Sequence, residues 1–152
     1  MVRTMDKIIR PAPIPTPETR PFWEAARDRV LCVPRCEKCL TWVFYPRPFC
    51  PKCGAADPVW TPLSGKATLH SYIINHRPPP GYGSAGAYII AIVALAEGFR
   101  MMTNLVNVEP APENLQLDMK LQVEFEDRGE WRVPVFRPAE SDSRATEVHG
   151  EG

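Results

Sequence analysis

Four of the five cysteines in this 152-residue chain fall in one stretch, CEKCLTWVFYPRPFCPKCG, as two Cys-x-x-Cys pairs separated by ten residues. A two-residue spacer lets both thiolates of a pair close one chelate ring, and two such knuckles bring four sulfurs to the corners of a tetrahedron. Cys36, Cys39, Cys50 and Cys53 are therefore expected to hold one metal ion. Tetrahedral four-sulfur sites accept zinc or iron. An odd cysteine count without a secretory leader points to a reducing, cytoplasmic setting, and there the four-thiolate pattern favours zinc. Four protein ligands leave no position for water or substrate, so the ion is expected to staple the fold and do no chemistry. Gly54 can close the second knuckle with positive φ, whereas the first has Leu40 at the equivalent place.

The remaining reactive side chains form no recognisable constellation. Cys32 sits in an apolar run, RVLCVPR, with no histidine beside it in sequence, and reads as a small packing residue. His70 and His76 share a predicted strand and His149 lies near the C-terminus; none is matched to a nucleophile or a carboxylate. There is no Gly-x-Ser-x-Gly and no phosphate loop.

A formal net charge of zero conceals an asymmetry. From Arg27 to Arg77 there are eight Lys or Arg against three Asp or Glu; from Pro78 onward there are six against twelve. Part of the first surplus offsets the two net negative charges of a divalent ion on four thiolates. The rest suits a phosphate-bearing ligand and is too sparse to specify nucleic acid. No apolar run is long enough for a membrane-spanning helix, the longest being AYIIAIVALA.

Eighteen prolines and long β-branched runs argue for a mainly β chain with rigid loops, built as one domain or two very small ones. Residues 1–19 carry the proline-studded PAPIPTPETRP and predict an extended arm. Residues 20–62 begin with a short helix over RPFWEAARDR, capped by Thr19, with Pro21 in its first turn and Phe22, Trp23, Ala26 and Val30 on one face. The cysteine segment follows. Residues 63–138 contain five strand candidates: Lys66 to His76, Ala87 to Ala96, Phe99 to Val108, Lys120 to Glu126 and Trp131 to Phe136. Hairpin turns at AEGFR and DRGEW join the second to the third and the fourth to the fifth. A longer connection, EPAPENLQLDM, follows the third strand, a pattern that fits a five-stranded Greek-key barrel of the OB type. Residues 139–152 lack apolar periodicity and predict a disordered tail.

In combination, RPFWEAARDRVLCVPRCEKC, YPRPFCPKCG, WTPLSGKATLHSYIINHRPPPGYG, IVALAEGFRMMTNLVNV and LDMKLQVEFEDR resemble a family of acyl-CoA-associated proteins that join a rubredoxin-like zinc ribbon to an OB-fold. The resemblance spans about residues 20 to 137. It implies an accessory subunit, not a catalyst, working with a thiolase-superfamily enzyme, an aldolase of the lipid-transfer type or a hydratase, with a CoA thioester as ligand. In that setting the loop HRPPPGYG invites a role at the thioester: Arg77 can pair a phosphate, Tyr82 can stack on a base, and Lys66 stands on the preceding strand. Phe22 and Trp23, with the arm, are the expected contacts to the partner, in a heterotetramer of two copies with a thiolase-type dimer. The competing reading is a nucleic-acid-binding zinc-ribbon and OB module, which neutral net charge disfavours.

Overall fold

A computed structural model of the chain describes residues 10–80, 82 and 86–139. Among these residues one α-helix, α1, spans Arg20–Arg27, and seven strands follow: β1 (Cys32–Arg35), β2 (Val59–Pro62), β3 (Lys66–Asn75), β4 (Tyr88–Leu95), β5 (Arg100–Leu105), β6 (Lys120–Arg128) and β7 (Trp131–Pro138). A single 3-10 turn, Pro112–Asn114, lies in the long connection between β5 and β6. No helix among the described residues is long and apolar enough to cross a membrane.

The five expected strands are β3 to β7, and they close a barrel in the order β3-β4-β5-β7-β6, with β6 returning to β3. β3 pairs with β6 only from Lys66 to Thr68 but follows β4 along its whole length. A bulge between Leu69 and Ser71 bends β3 where it leaves β6, which lets one long strand serve both halves of the barrel. Closure between β5 and β7 rests on a parallel contact at Leu105 and Phe136, where the Val106 amide donates to the Phe136 carbonyl at 2.8 Å. Alternation decides the interior: Ile89, Ala91, Val93 and Leu95 of β4 point inward with Leu69, Leu121 and Phe136, all nearly or fully buried. On β6, Leu121 is buried, and Val123 and Phe125 pack against the core as their alternation with Gln122, Glu124 and Glu126 predicts.

Between β2 and β3 the chain turns through Gly65, whose φ of +76° is combined with a tight approach to β6. A Cβ there would stand 2.3 Å from Val123 Cγ1, so only glycine fits.

Ahead of the barrel, β1 and β2 form a two-stranded antiparallel sheet that carries the cysteine loops between its strands. Leu63 N–H donates to the Leu31 carbonyl at 2.8 Å, tying the end of this sheet back to its start. Helix α1 lies against β7: the Arg27 guanidinium sits 5.1 Å above the Trp131 ring, and Arg132 donates to the Arg27 carbonyl. Thr19 occupies the expected N-cap position, yet its hydroxyl does not cap the helix. It accepts instead from the Thr16 amide at 2.9 Å, because residues 16–19 form a turn of their own that competes for the oxygen. The first nine residues of the expected arm, and the expected tail beyond Ala139, lie outside the described residues. Ala139 itself donates to the Lys120 carbonyl at 2.9 Å.

Candidate metal centre and adjoining surfaces

The four cysteines come together from two loops of the same construction. In the first, Leu40 N–H closes on the Cys36 carbonyl at 2.9 Å and Cys36 N–H on Thr41; in the second, Gly54 N–H closes on Cys50 at 2.9 Å and Cys50 N–H on Ala55. Each turn needs a left-handed residue at its end. Gly54 supplies it at φ +77°, and Leu40 adopts φ +62° despite its side chain, so the first knuckle keeps its shape without a glycine.

The sulfurs of Cys36 and Cys53 are 3.5 Å apart, as are those of Cys39 and Cys50, and all four lie within 4.8 Å of one another. Tetrahedral zinc with bonds of about 2.3 Å sets its sulfurs roughly 3.8 Å apart, so the arrangement fits that ion. Bringing four thiols this close splits their acidities. The Thr41 hydroxyl, 3.1 Å from the Cys39 sulfur, and then the Thr41 amide hold that thiol down to about 6. Backbone amides, that of Cys39 foremost, also lower Cys36. The Ala55 amide pulls Cys53 down, but desolvation and the three neighbouring cysteines together push it up to about 11. A divalent ion relieves this competition by taking all four as thiolates. Thr41 was not legible as part of the site, since nothing marks the hydroxyl until the knuckle brings it to the sulfur. Cys32 lies apart from the cluster, on β1, with burial raising its thiol.

Around the centre the ribbon leaves apolar side chains in solvent. Leu40, Tyr45 and Phe49 are each more than half exposed, while Trp42 and Phe44 turn to the barrel and meet Phe99 at ring separations of 6.0 and 5.6 Å. A second apolar surface lies on the outside of β3, β4 and β5. There Ile73 faces Ile90 and Ile92 faces Met102 across the strands, with Ile73 58 % and Met102 59 % exposed.

The structure separates the residues that the sequence grouped as ligand-facing. Lys66 opens β3 and Arg77 lies two residues beyond its far end, so the strand's length stands between them. Arg77 is exposed, and its amide donates to Asn75 Oδ1 at 2.8 Å. The Tyr82 ring is taken up within the chain: the Arg10 and Arg128 guanidinium groups approach it at 5.2 and 5.4 Å, and its hydroxyl accepts from Arg128 at 3.2 Å. Arg128 is almost fully buried; it also donates to Glu126 at 2.8 Å and to the Pro11 carbonyl at 3.0 Å, and Glu126 receives both bonds of Arg10. This clamp joins arm, loop and barrel, and no local pattern announces it. Of the two aromatic residues expected at a partner, Phe22 is 7 % exposed within the chain's own core, and Trp23 packs half-buried beside it, edge to face at 4.9 Å.

Two family profiles match the chain in tandem: the rubredoxin-like zinc ribbon domain of ChsH2 over residues 23–59, and the C-terminal OB-fold domain of ChsH2 over residues 60–126. A probable enoyl-CoA hydratase alpha subunit of Thermomonospora curvata is 37 % identical over 135 residues, which are 88 % of this chain but 41 % of that protein, so the chain spans less than half of its relative's length. A DUF35 domain-containing scaffold protein of Methanocaldococcus jannaschii is 30 % identical over 68 % of this chain and 73 % of its own. Among solved structures, a chain of the Ltp2-ChsH2(DUF35) aldolase superposes with a TM-score of 0.74 at 34 % identity, covering 84 % of this chain and 98 % of that one. A four-cysteine ribbon followed by a closed five-stranded barrel, matched in order by both profiles and over 73 % of the scaffold protein and 98 % of the solved chain, makes the chain a member of the DUF35 family, of the ChsH2 zinc-ribbon and OB-fold type.

Proposed function

We propose that the chain is a non-catalytic accessory subunit of an acyl-CoA-acting complex, holding one structural zinc ion at Cys36, Cys39, Cys50 and Cys53. Its partner is a thiolase-superfamily enzyme, two copies of the chain assembling with a partner dimer, and the chain helps seat the CoA thioester while the partner makes or breaks the carbon–carbon bond. The observation that carries this reading is the match to the aldolase-associated chain, which extends over 98 % of that chain at 34 % identity. The names of the hydratase subunit and the scaffold protein point the same way. The surface is consistent with it. Ile73, Ile90, Ile92 and Met102 form a contiguous apolar strip on the outside of the barrel, and the ribbon tip adds Leu40, Tyr45 and Phe49. A contiguous exposed apolar strip marks a docking surface more often than a solvated one. Trp23, half-buried at the helix, extends the same role to the N-terminal side.

Size-exclusion chromatography of the chain with a co-encoded thiolase-like protein tests the reading. Co-elution at micromolar concentration is expected, with acyl-CoA turnover by the mixture and none by this chain. Separate elution, or full turnover by the chain alone, overturns it.

A further inference from the structure

Where the barrel closes between β3 and β6, it opens outward into a groove of about 1130 Å³. Among the described residues three cations line it, Lys66, Lys120 and Arg137, and no carboxylate does. The register explains the meeting. Lys66 pairs with Gln122 and Gln122 with Arg137, while Lys120 pairs with Thr68, so three adjacent strands present their charges on one outer face. Neighbouring strands lie about 4.8 Å apart, which places the backbones of Lys66 and Arg137 on the order of 10 Å from each other, with Lys120 between them in strand order. None of the three is in an ion pair among the described residues. Glu97, beside Ala96 of the groove, has one carboxylate oxygen on the Ser64 amide at 2.8 Å. Gln122 lies between Lys66 and Arg137, and the groove has an apolar side from Ala94, Met119 and Pro138.

Three cations brought together with no ion pair to any of them among the described residues repel one another, and an anion bearing several charges relieves it. A cationic row beside an apolar wall matches a nucleotide with separated phosphates and a flat base. We propose that this groove is a polyanion site that takes the phosphates of coenzyme A: Lys66, Lys120 and Arg137 pair the pyrophosphate and the ribose phosphate, and the apolar wall takes the base. The assignment rests on the acyl-CoA reading above and changes its location. It moves the charged end of the ligand from the Arg77 and Tyr82 loop to the opposite end of β3, where Tyr82 plays no part.

Binding of coenzyme A, dephospho-coenzyme A and inorganic pyrophosphate to the full chain at low ionic strength is measured calorimetrically for wild type, Lys66→Ala, Lys120→Ala, Arg137→Ala, the triple variant and Arg77→Ala. All replaced side chains are exposed or half-buried at the surface, and circular dichroism checks that each variant folds. The groove predicts a rise in Kd of about 3- to 10-fold for each single variant, on the scale of one solvent-exposed ion pair or ordinary hydrogen bond. It also predicts loss of binding in the triple variant, weaker binding of dephospho-coenzyme A than of coenzyme A, steep weakening with salt, and no change for Arg77→Ala. Coenzyme A binding that survives the triple variant and falls in Arg77→Ala overturns the groove and leaves the acyl-CoA reading intact. Pyrophosphate bound through the three cations with no affinity for coenzyme A overturns the assignment of the ligand and counts against the acyl-CoA reading. Absence of any binding by the wild type overturns the site outright.

Discussion

Leu40, Gly54 and Gly65 all lie in the left-handed region, at φ +62°, +77° and +76°, and differ in what surrounds them. Nothing lies within 4 Å of a Cβ built on Gly54, so Gly54→Ala carries only the conformational penalty, about 1 kcal/mol. Gly65→Ala adds a collision with Val123 and is expected to cost roughly 2–4 kcal/mol in denaturant unfolding. Gly54 was legible from the knuckle pattern, because its role is local; Gly65 was not, because the wall it meets belongs to β6. At the cysteines, Cys39→Ala is expected to abolish stoichiometric zinc in elemental analysis, and Cys32→Ser, buried on β1 away from the cluster, to leave it unchanged. The sign of the pH dependence follows from the ligand form. In the metal-free cluster the Thr41 hydroxyl holds the Cys39 thiol down to about 6, so protons compete with the ion for this sulfur on the acid side only. Metal retention, followed with a chromogenic chelator, should therefore fall on acidification and never on mild alkalinisation.

The elements differ in how far they depend on the ion. The barrel has a continuous core of its own around Leu69, Val93 and Phe136, whereas the ribbon buries little beyond Val33, Pro34, Val43, Cys36 and Cys50. Chelation is thus expected to release amide protection at Cys36, Leu40, Cys50 and Gly54 while Leu69 and Val93 keep theirs, a contrast that hydrogen exchange reads directly. The strands that sequence located well, β3 to β7, are those whose apolar residues run or alternate between turn residues. β2 escaped notice because its four residues, Val59–Pro62, hold a strand only through pairing with β1. Thr19 shows the converse limit: residue type chose the helix boundary, and a neighbouring turn decided what the hydroxyl bonds.

Across the whole molecule, long-range charge does what local pattern could not foretell. Arg128 joins β6 to the arm and to the loop before β4, through Glu126, Pro11 and Tyr82. Replacing it leaves Glu126 with Arg10 alone and the Tyr82 hydroxyl without this donor; Arg128→Ala should cost about 2–3 kcal/mol, below a full buried-pair loss because Arg10 remains. Limited proteolysis should then cut the arm near Arg10 sooner than in wild type. The same long-range assembly hid the groove, since Lys120 and Arg137 come from the acidic half of the chain and meet Lys66 only when the barrel closes.

That closure is uneven. β3, β4, β5 and the β6–β7 hairpin are laced by long antiparallel ladders, but β5 meets β7 at one register position, with the Val106 amide bonded to Phe136. A cylinder sewn so lightly along one line has a seam. Thermal openings of the barrel should run along that line first, parting β5 from β7 without unlacing either hairpin, and the Val106 amide should exchange its proton faster than its buried neighbours on β4. Along that seam the barrel can deform at small cost, with its two halves moving as leaves about the bent strand β3.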